Sequence, residues 1–163
     1  MSRARQAPAG ALRVGVANDL GRSAVSAERL AAAARYVLRA EGVSDAMLSL
    51  TLLSSAAMAR LNAKHLKHGG PTDVISFGFA PTPGSGVVGD VYVCPAEARR
   101  NAAAAGCGVR EELLRLVVHG TLHVLGWDHP EDVGREASRM WLRQERLLAS
   151  ILRAAARQRA GRA

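Results

Sequence analysis

The stretch Val109-Arg-Glu-Glu-Leu-Leu-Arg-Leu-Val-Val-His119-Gly-Thr-Leu-His123-Val-Leu-Gly126-Trp-Asp128-His129 decides how this chain is read. From Val109 to Leu125 the apolar residues recur at helical spacing, which predicts a long amphipathic helix stopped by Gly126. His119 and His123 stand four apart, so their rings share one face of that helix, one turn from each other. Gly126 is free to take positive φ, end the helix and turn the chain back. His129 then reaches the same point from outside the helix.

Three neutral imidazoles that converge in this way form a metal-ligand set. They leave one coordination position open, which is the catalytic rather than the structural zinc arrangement, with Zn–N distances of ~2.0–2.1 Å. One Zn²⁺ per chain is the expected cofactor, although Ni²⁺, Cu²⁺ and Co²⁺ suit the same donors. Three of the chain's five histidines fall within these eleven residues, a density that core packing does not call for. The spacing H-x3-H-x2-G-x2-H is also that of metzincin peptidases, which carry a Glu after the first His as general base. Here that position is Gly120. Such a base is worth ~10²–10⁴-fold in rate, so a peptidase is the runner-up.

Upstream of this stretch, Leu12 to Ala17 alternates and reads as a strand, and Ser26 caps an Ala-rich helix to about Ala40, closed by Gly42. Met47 to Leu53 is a second strand, and Ser54 or Ser55 caps a helix to about Leu66. Lys67 to Pro71 is a loop. Thr72 to Phe79 and Val87 to Cys94 are strands joined as a hairpin, and Pro95 opens a helix to Ala105. On the first of these strands Thr72 and Ser76 share a face, and Phe77 points the other way into the core. Downstream of His129, Val133 to about Arg157 reads as the last helix. The order predicts an α+β fold, a mixed four-stranded sheet packed with about five helices. The metal site lies at the end of the long helix and the turn that follows.

The chain has 163 residues, 48% of them hydrophobic and 22% charged, which excludes a disordered chain or a disulfide scaffold. Cys94 and Cys107 form no CxxC pair, so they read as thiols in a reducing compartment. The N-terminus has no secretory apolar run, and no segment is long enough to span a membrane. A cytoplasmic location is expected. The net charge is +8. Residues 133–163 hold eight Arg against two Glu, six of the eight net charges. This is either a solvated helix face or a footprint for RNA phosphates.

The run His119-Gly-Thr-Leu-His-Val-Leu-Gly-Trp-Asp-His129 resembles the H-G-x-L-H-L-x-G-x-D-H signature of the YbeY family. Leu61-Asn62 followed by Pro71-Thr-Asp-Val-Ile-Ser-Phe77 is similar to the family's L-N and T-D-V-L-S-F blocks, and Val88-Gly-Asp-Val-Tyr-Val93 to its G-D-I-x-I strand. Members are bacterial metal-dependent endoribonucleases of rRNA maturation and ribosome quality control. The resemblance implies a zinc-dependent, single-strand-specific endoribonuclease that hydrolyses phosphodiester bonds, including at the 3′ end of the small-subunit rRNA. Single-stranded RNA, rRNA and ribosomal subunits are the implied partners, with neither a membrane nor a nucleotide cofactor among them. A metal-stabilised ribosome-binding factor with little catalysis is a third reading. The division expected is a flexible leader over 1–11, one metallo-endoribonuclease domain over 12–157, and a basic tail over 158–163.

By the same resemblance His119, His123 and His129 are the zinc ligands, with His119 also at the catalytic centre. Many members have an Arg four residues after the Asn of L-N; the aligned residue here is Leu66. Lys64 and Lys67 stand nearby as candidate phosphate contacts. The general base is open between a metal-activated hydroxide, Asp73 and His68. Asp128 either orients an imidazole from behind or caps the turn. Trp127 either stacks an RNA base or covers the metal as an apolar lid.

Overall fold

The computed structural model describes residues 10–66, 72–131 and 133–163. Lys67 and His68 therefore lie outside the described residues, as does most of the 1–11 segment. The elements are β1 (Leu12–Asn18), α1 (Ala27–Ala40), β2 (Ala46–Leu52), α2 (Ser55–Leu66), β3 (Val74–Gly78), β4 (Val87–Val93), α3 (Pro95–Ala105), α4 (Val109–Val124) and α5 (Arg139–Ala160), with a short 3₁₀ turn at Arg135–Ala137. The architecture is the α+β arrangement expected, four strands in the order β1-β2-β4-β3 with five α-helices.

β1, β2 and β4 run parallel, and β3 closes the edge antiparallel to β4. The hairpin places Ser76 opposite Val91 and Phe77 opposite Asp90. On one face Leu48, Leu50, Leu52, Val91 and Val93 pack against α1 and α4 to make the main core. On the other face Met58 and Leu61 of α2 meet Ile75, Phe77, Tyr92 and Cys94. Phe77 is only half-buried there, edge-on to His65 and Tyr92. α5 lies outside α4, where Met140 and Leu147 join Val37, Val118 and Leu122.

Two helix starts show their cause. Ser26 accepts the Arg29 N–H at the head of α1, and Ser54 accepts the Ala57 N–H at the head of α2; each satisfies an amide that the helix itself leaves free. The last helix departs from the expectation of a continuous run from Val133. Gly134 takes φ +92°, the 3₁₀ turn follows, and Ser138 is extended with its Oγ accepting the Trp141 N–H. Ser138 is the true cap, so α5 begins at Arg139. A helical apolar pattern does not reveal where a cap interrupts it.

α4 is the central helix and is buried along most of its length. It lies so close to the sheet that a Cβ on Gly120 would stand 2.5 Å from Val91 Cγ1 and 3.0 Å from Ser76 Oγ. Ser76 Oγ–H donates to the Gly120 carbonyl at 3.0 Å. This contact fixes the depth of α4 and hence the position of both its histidines. No helix among the described residues is long and apolar enough to cross a membrane.

Candidate metal centre

The turn after α4 follows from Gly126, which takes φ +89°, and from the Trp127 N–H, which returns to the Leu122 carbonyl at 3.0 Å. The chain reverses and brings His129 over the face that carries His119 and His123. The Nε2 atoms of His123 and His129 stand 3.2 Å apart, and those of His129 and His119 3.3 Å. Two nitrogens bound tetrahedrally at ~2.0–2.1 Å from one zinc lie about 3.3–3.4 Å apart. The three imidazoles are thus already spaced as a ligand set, and they form a group able to hold a metal ion.

The outer nitrogens explain why the inner ones face each other. His119 Nδ1–H donates to Gln144 Oε1 at 2.6 Å, His123 Nδ1–H to the Trp127 carbonyl at 2.9 Å, and His129 Nδ1–H to the Pro130 carbonyl at 2.8 Å. Each neutral ring has one proton, and each proton is engaged on the outside. Three Nε2 lone pairs then point at one another with no proton between them. Protonation of His119 or His123 does not relieve the repulsion near neutral pH. Burial, with the charges of His123, Arg135 and His129 adding to it against the opposing Gln144 hydrogen bond, pushes His119 down to about 3. Burial and the neighbouring His129 lower His123 as well. Such a cluster is satisfied by a cation, and the donor set fits zinc.

Gln144 was not singled out in the sequence, yet it is 1% exposed and touches the triad directly. Its amide is oriented in turn, because Nε2–H donates to Glu145 Oε1 at 3.0 Å. Glu145 accepts from Arg115 Nε at 2.9 Å, and Arg115 also binds Glu111 and Glu112. Burial works against the Arg115 charge, but hydrogen bonds to Glu145 and Glu112 outweigh it, so its pKa is raised. The one sequence signal for Gln144 was a polar residue among Met140, Leu147 and Leu148 on the buried face of α5.

The other candidate residues divide by position. Asp73 lines the same cleft of about 960 Å³ as His119, with Oδ2 accepting from Asn101 Nδ2 at 2.9 Å. Asp128 is exposed, and its Oδ1 accepts the His129 backbone N–H at 2.8 Å. Trp127 packs on the Val118, Leu122 and Met140 cluster, and its Nε1–H donates to Glu41 Oε2 at 3.0 Å. Glu41 also holds Arg143 at 2.6 Å, so α1, the metal turn and α5 meet at one carboxylate. Lys64 is exposed on α2 and is not among the residues lining that cleft. Gly120, where a metzincin has its base, faces β3 and β4. A carboxylate there would enter the sheet side of α4, against the core, which removes the support for the peptidase reading.

The sequence pattern of the family described as Endoribonuclease YbeY matches residues 16–152. The chain is 42% identical over 144 residues to a protein named Endoribonuclease YbeY from Mycobacterium tuberculosis (strain ATCC 25618 / H37Rv), an alignment covering 82% of this chain and 80% of that one. It is 41% identical over 144 residues to the protein of the same name from Mycobacterium ulcerans (strain Agy99), covering 82% and 79%. The solution structure of TM1509 from Thermotoga maritima superposes with a TM-score of 0.59 at 21% identity, covering 89% of this chain and 93% of that one, a likeness of fold.

Proposed function

Because the chain belongs to the YbeY endoribonuclease family, we propose that it is a zinc-dependent endoribonuclease that cuts single-stranded RNA during rRNA maturation and ribosome quality control in the cytoplasm. The observation that carries the proposal is the convergence of three Nε2 atoms at 3.2 and 3.3 Å, with every outer nitrogen engaged elsewhere. His119, His123 and His129 would hold the zinc. When bound, such an ion acts as a Lewis acid towards phosphoryl oxygen and acidifies a water to near neutral pKa.

The chain's own residues do the remaining work. Gln144 Oε1, the Trp127 carbonyl and the Pro130 carbonyl keep the three Nε2 lone pairs free and aimed. Asp73 stands in the cleft beside His119 with Oδ2 tied to Asn101. Its Oδ1 is the atom we assign to take a proton from the attacking water, with His68 as the alternative. The cleft admits an unpaired strand, whose backbone bends where a duplex does not. Trp127, held by Glu41 against the apolar cluster, serves this site as a wall.

The test measures metal content and cleavage of single-stranded RNA on one preparation, with His123→Ala as the control. Wild type should hold about one zinc and cut RNA, and the variant should lose both. Casein should remain intact. Zinc-loaded protein that leaves RNA whole at low salt, yet sediments with ribosomal subunits, would put the ribosome-binding factor in place of the nuclease.

A further inference from the structure

Two arginines line the cleft beside the triad, Arg115 and Arg135. Arg115 is fully committed, with Glu111, Glu112 and Glu145 around its guanidinium. Arg135 makes no ion pair among the described residues, and its Nε is buried without a hydrogen-bond partner. It sits on the 3₁₀ turn between Gly134 and Ser138, with its guanidinium carbon 6.0 Å from the centre of the Trp141 ring. A guanidinium over an aromatic face keeps its N–H edge for a planar anion. It lines the same cleft as His119.

The charge inventory shows why this residue matters. The cleft carries the carboxylates Asp73, Glu111, Glu112 and Glu136 against the two arginines. With Arg115 already committed, a phosphodiester entering the cleft meets a surplus of negative charge, and among the described residues lining it Arg135 is the cation left to offset it. Lys64 is not part of the cleft.

We propose that Arg135 binds a phosphate of the RNA strand lying in the cleft, through its free guanidinium edge, and so places the scissile linkage against the histidine triad. The inference rests on the endoribonuclease reading. It assigns the phosphate contact to the turn before α5.

Metal-stripped protein, which cannot cut the probe, is titrated with a short fluorescein-labelled oligouridylate over a salt series, as wild type, Arg135→Ala, Arg135→Gln and Arg135→Lys. The alanine variant should bind about tenfold more weakly or worse, the loss of one charge-assisted hydrogen bond. Its slope of log affinity on log salt should fall by about 0.7, the value for one phosphate contact on a single strand. Lys should keep the slope. Gln, which keeps an uncharged polar side chain on the turn, should behave as Ala does and covers the case in which Ala fails to fold. In the zinc-loaded enzyme KM should rise more than kcat falls, at unchanged zinc content. Wild-type affinity and slope in both neutral variants would overturn the assignment of Arg135 and leave the nuclease reading standing. Wild type that neither binds nor cuts RNA would overturn both.

Discussion

Gln144→Leu removes the one side chain among the described residues that hydrogen-bonds the outer nitrogen of a triad imidazole, and its effect separates metal binding from folding. The amide is 1% exposed and accepts His119 Nδ1–H at 2.6 Å. Leu has a similar size and no acceptor. His119 then has a buried N–H without a partner and is free to carry its proton on Nε2, where it blocks the metal. Losing a partner of this kind costs about 10–100-fold in metal affinity, or about 1.4–2.7 kcal/mol. The unpaired N–H costs about 1–3 kcal/mol of stability, partly offset because the desolvated amide is gone too. In a chain of 163 residues each kcal/mol moves the melting temperature by about 2–4 °C. Gln144→Glu is the informative partner. It keeps an acceptor for His119 and makes that acceptor a carboxylate, but it loses the donor to Glu145 and places two carboxylates side by side. Zinc affinity should therefore hold or increase in Gln144→Glu while the metal-free protein melts lower. Competition against a chromophoric chelator reads the affinity, and melting in EDTA reads the stability. Zinc bound as tightly by Gln144→Leu as by wild type would refute the role given to Gln144.

Other outcomes follow from the same geometry. Gly120→Ala gains helix propensity of about 1 kcal/mol, but its Cβ meets the stiff Val91 side chain at 2.5 Å. Overpacking of about 1–3 kcal/mol should win and lower the denaturation midpoint; an unchanged midpoint means α4 has room to move away. In metal-free protein His119 stays neutral in the fold down to about 3, while in the unfolded chain it protonates near 6.5. The unfolded state therefore binds the extra proton between these values, and stability present above pH ~6.5 is lost as pH falls toward ~3. Urea titrations across that range should show a shallower pH dependence in His119→Gln than in wild type. Glu41→Ala releases both Trp127 and Arg143. A loss of about 1–3 kcal/mol and a red shift of tryptophan emission are expected, and unchanged emission would show that the indole is held by packing alone.

The legible parts of this protein are those in which cause and consequence lie close together in the chain. The Ser26 cap, the hairpin of β3 and β4, the Gly126 stop and the grouping of His119, His123 and His129 all rest on interactions within a few residues or one turn. The start of α5 was not legible. Val133 and Met140 fit one helical stripe, and only the φ of +92° at Gly134 and the Ser138 cap show that the stripe is broken. For Asp128 and Trp127 the sequence left two roles open each. Their hydrogen bonds, to the His129 backbone and to Glu41, are what the fold adds.

By itself the sequence determined the donor set, because a helical period of 3.6 residues and one positive-φ glycine suffice to bring three imidazoles from eleven residues to a point. It also determined the four strands and, apart from the start of α5, the helices, because alternation and capping are local. Only the tertiary structure decided what stands behind and beside that point. Gln144 is 25 residues from His119, and Glu41 is 86 from Trp127. Arg115 and Arg135 are equal as letters, and their difference arises because packing surrounds one with three carboxylates and leaves the other facing the cleft. Such partners are selected by how α5 and the sheet close on α4, and no local pattern of residues encodes that closure.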